Sequence, residues 1–220
     1  LFPYTTLFRS TLNLRDVAIL YRTQAQSRAL EEALLSMKVP YVLKSGCNFY
    51  ERAEVSDLLA YLRIAAGSDR VDHVVRCVNR PFRFLGKAFL AKIEEVEAKT
   101  KLKGTAIVRA VLASFELQKR QQQSASDWCR LIEEVSRRME KPTEKTPGSP
   151  ASLLELIVTQ TGYVEWLTKE EGDETVENSR VSNVRELIRV ATRFKTVPEL
   201  LAFVDETIEA ARTAARSEEH

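Results

Sequence analysis

The sequence predicts an α/β start followed by a mostly α-helical domain, and three observations carry that reading. Residues 16–21 (DVAILY) and 40–43 (PYVL) are short, apolar, β-prone runs on either side of one amphipathic stretch. After Gly46 the apolar residues recur with helical spacing, and no convincing strand pattern follows. The clearest break in the later chain is residues 141–150, with three prolines and a glycine in ten positions.

Taken in order, residues 1–10 read codon for codon as the translation of a sequencing adapter, and residues 216–220 as the start of the adapter expected at the opposite end of an insert. Both are expected to be scars, which leaves 11–215 as natural sequence, enough for one large or two small domains. Residues 16–21 are expected to form a strand, and the polar residues 22–27 a turn. Leu30, Ala33, Leu34 and Met37 then recur at i, i+3, i+4 and i+7, the apolar stripe of a helix that packs on a sheet. Residues 40–43 supply a second strand, giving a β-α-β unit with a parallel pair and exposed sheet edges that predict poor solubility. Next comes a helix with Val55, Leu58, Leu59 and Leu62 on one face. Another over 69–79 carries Val71, Val74, Val75 and Val78 and ends before Pro81. Further helices are expected over 86–99, 104–119 and 125–140. After the loop at 141–150, Leu153, Leu156 and Ile157 open a helix that stops near Gly162, a natural C-terminal cap. A polar link over 169–178 precedes two last helices, 181–195 and 198–213.

Composition excludes several classes. Thirty-three basic residues against thirty-one acidic ones leave a net charge of +2, so no global basic field draws nucleic acid and any such contact must be local. Cys47, Cys77 and Cys129 fall in no CxxC or Cys/His pattern, and with His220 set aside His73 is the only histidine. Neither structural zinc nor a disulfide framework is expected, and no metal ligands are assigned. No apolar run approaches the ~20 residues of a membrane span, and no signal peptide opens the chain. The expected setting is soluble, reducing and cytoplasmic, with no membrane partner.

The most specific pattern is a series of collinear blocks. Val17-Ala-Ile-Leu-Tyr-Arg-Thr-Gln-Ala-Gln-Ser-Arg28 and Leu30-Glu-Glu-Ala-Leu-Leu35 come first, followed by Pro40-Tyr41. Gly46-Cys-Asn-Phe-Tyr-Glu-Arg52 and Glu54-Val-Ser-Asp-Leu-Leu-Ala-Tyr-Leu-Arg63 come next. Together they resemble motif IV and the G-x-x-F-x-x-R-x-E-x-x-D-x-L-A-Y-L-R block of UvrD/PcrA/Rep-type superfamily 1 DNA helicases. Asn79-Arg-Pro81 resembles that family's N-x-P element, and Thr161-Gly-Tyr163 and residues 180–187 resemble landmarks of its helical insertion. The resemblance covers 14–213 and is strongest before residue 90. It implies a partial second RecA-like motor domain at 11–114 and a helical, 2B-like insertion domain at 115–215. Departures mark a divergent member. The family's R-G-I-G turn is Arg83-Phe84-Leu85-Gly86 here, its glycine pair is Ser45-Gly46, and Gln24 stands where it has asparagine. If the turn requires positive φ or close approach to a phosphate, Phe84 disturbs it.

What the resemblance implies chemically is an ATP-dependent, 3′-to-5′ translocating helicase acting in repair or replication, with ATP and Mg²⁺ as cofactors, single-stranded and duplex DNA as partners, and contacts to repair or replication proteins. Arg22 would be its catalytic residue, bridging γ-phosphate oxygens as charge builds in the transition state, and Tyr21 would stack on adenine. The plainer reading makes Tyr21 the cap of a strand and Arg22 a solvated charge. Asn79, Arg83 and Lys87 would contact DNA; for Asn79 a helix-terminal cap is nearly as good a reading. Arg52 and Glu54 read as structural, through ion pairs and helix capping. Lys99, Lys101, Lys103, Lys119 and Arg120 read as a solvated face before they read as phosphate contacts. No G-x-x-x-x-G-K-[ST] is present: Gly86-Lys87 is followed by Ala88, and Pro81 stands where the first glycine belongs. Asp173-Glu174-Thr175 lies in a polar link, not at the end of an apolar strand, and is rejected as a Mg²⁺ site. The chain by itself is not expected to hydrolyse ATP. A helicase-nuclease subunit and a non-catalytic helical module that binds DNA or protein remain the alternatives.

Overall fold

The computed structural model describes residues 49–171 and 180–218, together with 13, 14, 17–21, 30, 33, 34, 37, 39 and 41. The chain divides into two compact units, Leu1–Val39 and Pro40–His220.

In the first unit the expected helix is visible in part. Leu30, Ala33 and Leu34 are helical, the Met37 amide donates to Ala33 O at 3.1 Å, and the Val39 amide donates to Leu34 O at 2.8 Å. The expected first strand is not seen: residues 17–21 join no ladder, and Leu20 is 94% exposed. A strand exists only where a neighbour completes its hydrogen bonds, and among the described residues none does so. Of the second expected strand only Tyr41 is described, outside any regular element, and the rest of 40–43 lies outside the described residues. The architecture on view is therefore helical, and the α/β start is not part of it.

The second unit opens with a 3₁₀ turn at Phe49–Glu51 and, among the described residues, continues through nine helices. These are α1 (Ala53–Ala65), α2 (Val71–Cys77), α3 (Lys87–Lys99), α4 (Thr105–Ser114), α5 (Lys119–Glu140), α6 (Pro150–Thr161), α7 (Tyr163–Glu171), α8 (Arg180–Ala191) and α9 (Val197–Glu218). Helix α1 is the hub. Ten of its thirteen residues are buried, because α2, α5, α6 and α8 all pack on it. One apolar core runs from Phe49 to Val204 and includes Ile107 and Val111 of α4 and Trp128, Ile132 and Val135 of α5. Residues on both sides of 114/115 contribute to that core. The residues between α4 and α5 turn the chain while both helices stay packed on each other, and Trp128 lies 6.4 Å from the ring of Tyr61 in α1.

Several helix ends differ from the sequence reading for local reasons. The helix expected over 104–119 ends at Ser114, and the one expected from 125 begins at Lys119. A reciprocal capping box between Gln118 and Gln121 starts α5 before any apolar residue appears, so periodicity could not reveal it. Ser149 caps α6 and Pro150 occupies its first turn, which moves the last residue of the expected loop into the helix. Gly162, at φ 63°, does end α6. The chain then re-enters a helix at once, and α7 anchors the fully buried Tyr163 and Leu167. The polar link over 169–178 largely lies outside the described residues, as do Asp173, Glu174 and Thr175.

Two buried carboxylates on α1 lock this arrangement. Asn183 Nδ2 donates to Glu54 Oε1 at 2.6 Å, Arg52 Nη1 donates to Asn183 Oδ1 at 2.8 Å, and Arg180 Nε stands 3.8 Å from Glu54 Oε2. That network ties the start of α1 to α8, the structural part read for Arg52 and Glu54. One turn on, Asp57 accepts from Tyr163 Oη at 3.0 Å and from Arg76 Nη1 at 3.2 Å, joining α1 to α7 and α2. Burial pushes the Asp57 carboxyl above its ordinary value, against the opposing pull of Tyr163 and Arg76.

Candidate functional site

Between α2 and α3 the chain makes a tight loop, residues 78–86, which holds Asn79 and Arg83, with Lys87 opening the next helix. Asn79 organises it. Its Nδ2 donates to Leu85 O at 2.8 Å, and its Oδ1 accepts from the amides of Arg83 at 2.7 Å and Leu85 at 3.3 Å. One side chain thus closes the loop on itself, as an asparagine does when it stands in for a missing backbone partner.

Arg83 is turned inward. Its Nη1 donates to the carbonyls of Cys77, Val78 and Pro81 at 3.3, 3.1 and 3.2 Å, and its Nη2 to Tyr61 Oη at 2.7 Å. A guanidinium at the last carbonyls of α2 complements the helix dipole there. Tyr61 Oη in turn donates to Arg80 O at 2.5 Å. Burial raises the Tyr61 hydroxyl above its ordinary value and keeps it a neutral donor, and burial raises the Cys77 thiol beside it.

Phe84 takes φ 62°, so this turn does require the left-handed conformation, and a phenylalanine adopts it. Gln121 Nε2 holds Phe84 O at 2.6 Å, and the Arg120 guanidinium lies over the Phe84 ring, 4.1 Å from its centroid. The other face of the loop carries Phe82, whose ring centroid is 4.7 Å from that of Phe84. Both rings are exposed, at 57% and 42%. Lys87 is exposed at the first turn of α3, where no side chain caps the helix and no acid stands.

The structure therefore places Asn79 and Arg83 on one loop, engaged by the loop itself, and Lys87 at the start of the helix that follows it, facing solvent. Tyr21 is half-buried within the first unit, and Arg22 lies outside the described residues. Among the wider basic set, Lys99 pairs with Glu95 at 2.6 Å and Lys103 with Asp69 at 3.4 Å. Lys87, Lys119 and Arg120 pair with no carboxylate among the described residues. Sequence reasoning missed Phe82, Tyr61 and Gln121 as parts of this loop. Two phenylalanines one residue apart beside a proline were the available signal.

A model of the UvrD-like helicase C-terminal domain matches residues 5–206. The chain belongs to that family. Relatives agree: a probable DNA helicase II homolog of Rickettsia conorii is 28% identical over 189 residues, which cover 86% of this chain and 28% of that protein. The ATP-dependent DNA helicase Rep of Buchnera aphidicola is 32% identical over 179 residues, 81% of this chain and 27% of its own length. The ATP-dependent DNA helicase PcrA of Bacillus subtilis is 32% identical over 196 residues, 87% and 25% respectively. The chain thus spans little more than a quarter of the relatives it matches. Within residues 52–63, Arg52, Glu54, Asp57 and Arg63 hold other helices, Arg63 through a bidentate pair with Asp205 at 2.6 and 3.1 Å, and Tyr61 holds the 78–86 loop.

Proposed function

We propose that this chain is part of an ATP-dependent, 3′-to-5′ translocating DNA helicase, in which residues 11–114 belong to the second RecA-like motor domain and residues 115–215 are the helical insertion that meets duplex DNA. The observation that carries the reading is the family match over 5–206, joined to relatives described as ATP-dependent DNA helicases. Arg22 is the γ-phosphate arginine, Tyr21 the adenine-stacking residue, and the setting is cytoplasmic.

The DNA side is the loop after α2. Lys87 and the uncapped first turn of α3 offer a phosphate a charged donor and backbone amides, contacts that position a strand without reading its sequence. Asn79 and Arg83 serve that contact by setting the shape of the loop that presents it. ATP and Mg²⁺ belong to the whole motor. The G-x-x-x-x-G-K-[ST] pattern that would cradle the phosphates does not occur in residues 1–220.

The test is made in the complete protein. Arg22→Ala is expected to abolish DNA-stimulated ATP hydrolysis by ~10³-fold or more while DNA affinity holds. An unchanged hydrolysis rate would sink the assignment of Arg22, and a complete protein without DNA-stimulated hydrolysis would sink the helicase reading.

A further inference from the structure

We propose that Phe82 and Phe84 form a stacking surface for an unpaired DNA base, with Arg120, Lys119 and Lys87 placed to neutralise the phosphates on either side of it. The inference rests on the DNA-binding reading of this unit and adds to it a single-stranded subsite on the helical domain. Both rings face solvent in a unit whose remaining large apolar side chains, Leu102 excepted, are covered among the described residues. Phe84 also sits at φ 62°, a backbone state that glycine reaches without the penalty of a Cβ. The backbone alone would be better served by glycine, so the side chain is what this position supplies.

Phe84 is held in place, and the Phe82 ring packs against it with centroids 4.7 Å apart. Asn79 fixes the amides of Arg83 and Leu85, Gln121 fixes the Phe84 carbonyl, and Arg120 covers one face of the Phe84 ring. A flat, immobilised, exposed aromatic loses little freedom when a base stacks on it, and every base offers a π-face. The surrounding charge selects the occupant. Lys87, Lys119 and Arg120 have no carboxylate partner among the described residues, and an apolar peptide laid on Phe82 would leave all three unmatched. A nucleotide satisfies both features, base on ring and phosphate on cation.

The 220-residue chain, titrated by fluorescence anisotropy with a blunt duplex and with the same duplex carrying an oligothymidine tail, tests this. The wild type is expected to prefer the tailed duplex about tenfold. Phe82→Ala with Phe84→Gly should erase that preference, while blunt-duplex affinity and its salt dependence stay unchanged because no charge is lost. Phe82→Trp should retain the preference, and an unchanged helical melting curve shows that the double variant folds. A wild type that binds blunt duplex with no preference for the tail overturns the stacking surface alone, as does a preference that survives the double substitution. A wild type that binds neither probe overturns the DNA-binding reading beneath it. Loss of self-association as the double variant's only change, read by sedimentation, would make the occupant a second copy of the chain and overturn the proposal.

Discussion

Two turns between helices in this molecule share one positive φ and use opposite side chains. Gly162 joins α6 to α7 at φ 63°, and Phe84 sits in the loop before α3 at φ 62°. At Gly162 the side chain is irrelevant: a Cβ there would meet only Glu165 Oε2 at 3.7 Å, ordinary contact, so glycine is present for its φ alone. At Phe84 the same φ is borne by a large ring that stays 42% exposed. Conformational ease therefore decides the residue at one turn, while at the other three neighbours, Asn79, Gln121 and Arg120, hold an unfavourable residue in place. The first turn is a device of the fold. The second spends stability on a surface.

The largest way to break the comparison is to remove what holds the second turn. Asn79→Ala leaves the Arg83 and Leu85 amides and the Leu85 carbonyl without their partner, and at about 1 kcal/mol per hydrogen bond the loss is about 2–3 kcal/mol. Thermal unfolding should fall by roughly 4–12 °C, and a change below 1 °C would show that the loop stands without its asparagine. Exchanging the two residues is intermediate in effect. Gly162→Phe should cost at least about 1–2 kcal/mol, the left-handed penalty. Phe84→Gly should shift stability by less than about 1 kcal/mol, because relief of that penalty is offset by lost contact with Phe82 and Arg120. Equal effects of the two, in denaturant titrations, would erase the distinction between the turns.

The smallest effect concerns the buried carboxylate beside the first turn. Asp57 accepts from Tyr163, the residue directly after Gly162, and its folded pKa lies above the unfolded value. The folded state therefore holds the proton more tightly, and this group's contribution to stability falls as pH rises from the ordinary carboxylate range upward. Asp57→Asn removes that titration, so the stability of the variant relative to wild type should rise with pH. A difference that stays flat between acid and neutral pH would mean that Tyr163 and Arg76 fully compensate the burial.

The helices of the second unit were legible because each buries a stripe at 3.6-residue spacing, and Val55, Leu58, Leu59 and Leu62 are all at or below 2% exposure. Gly162 was legible as a cap because its requirement is local. Helix α7 was not, since a left-handed cap reads as an end whether or not another helix follows. The start of α5 was hidden for a similar reason: Gln118 and Gln121 cap through side-chain hydrogen bonds that no apolar period reports. For residues 79–87, closeness along the chain was legible and side-chain orientation was not. Asn79 and Arg83 share one loop and Lys87 opens the helix after it, yet the sequence gives no sign that the Arg83 guanidinium folds back onto the end of α2.

By itself, then, the sequence determined the family, through collinear blocks at fixed spacing, and the helical character of the second unit, through periodicity. Both are properties of residues near one another along the chain. Tertiary structure alone decided which polar residues of those blocks face inward. Glu54 meets Asn183, Asp57 meets Tyr163 and Arg63 meets Asp205 across 129, 106 and 142 residues. A buried charge or hydroxyl must find its partner wherever packing brings one, and that pairing is written in three dimensions, not in spacing.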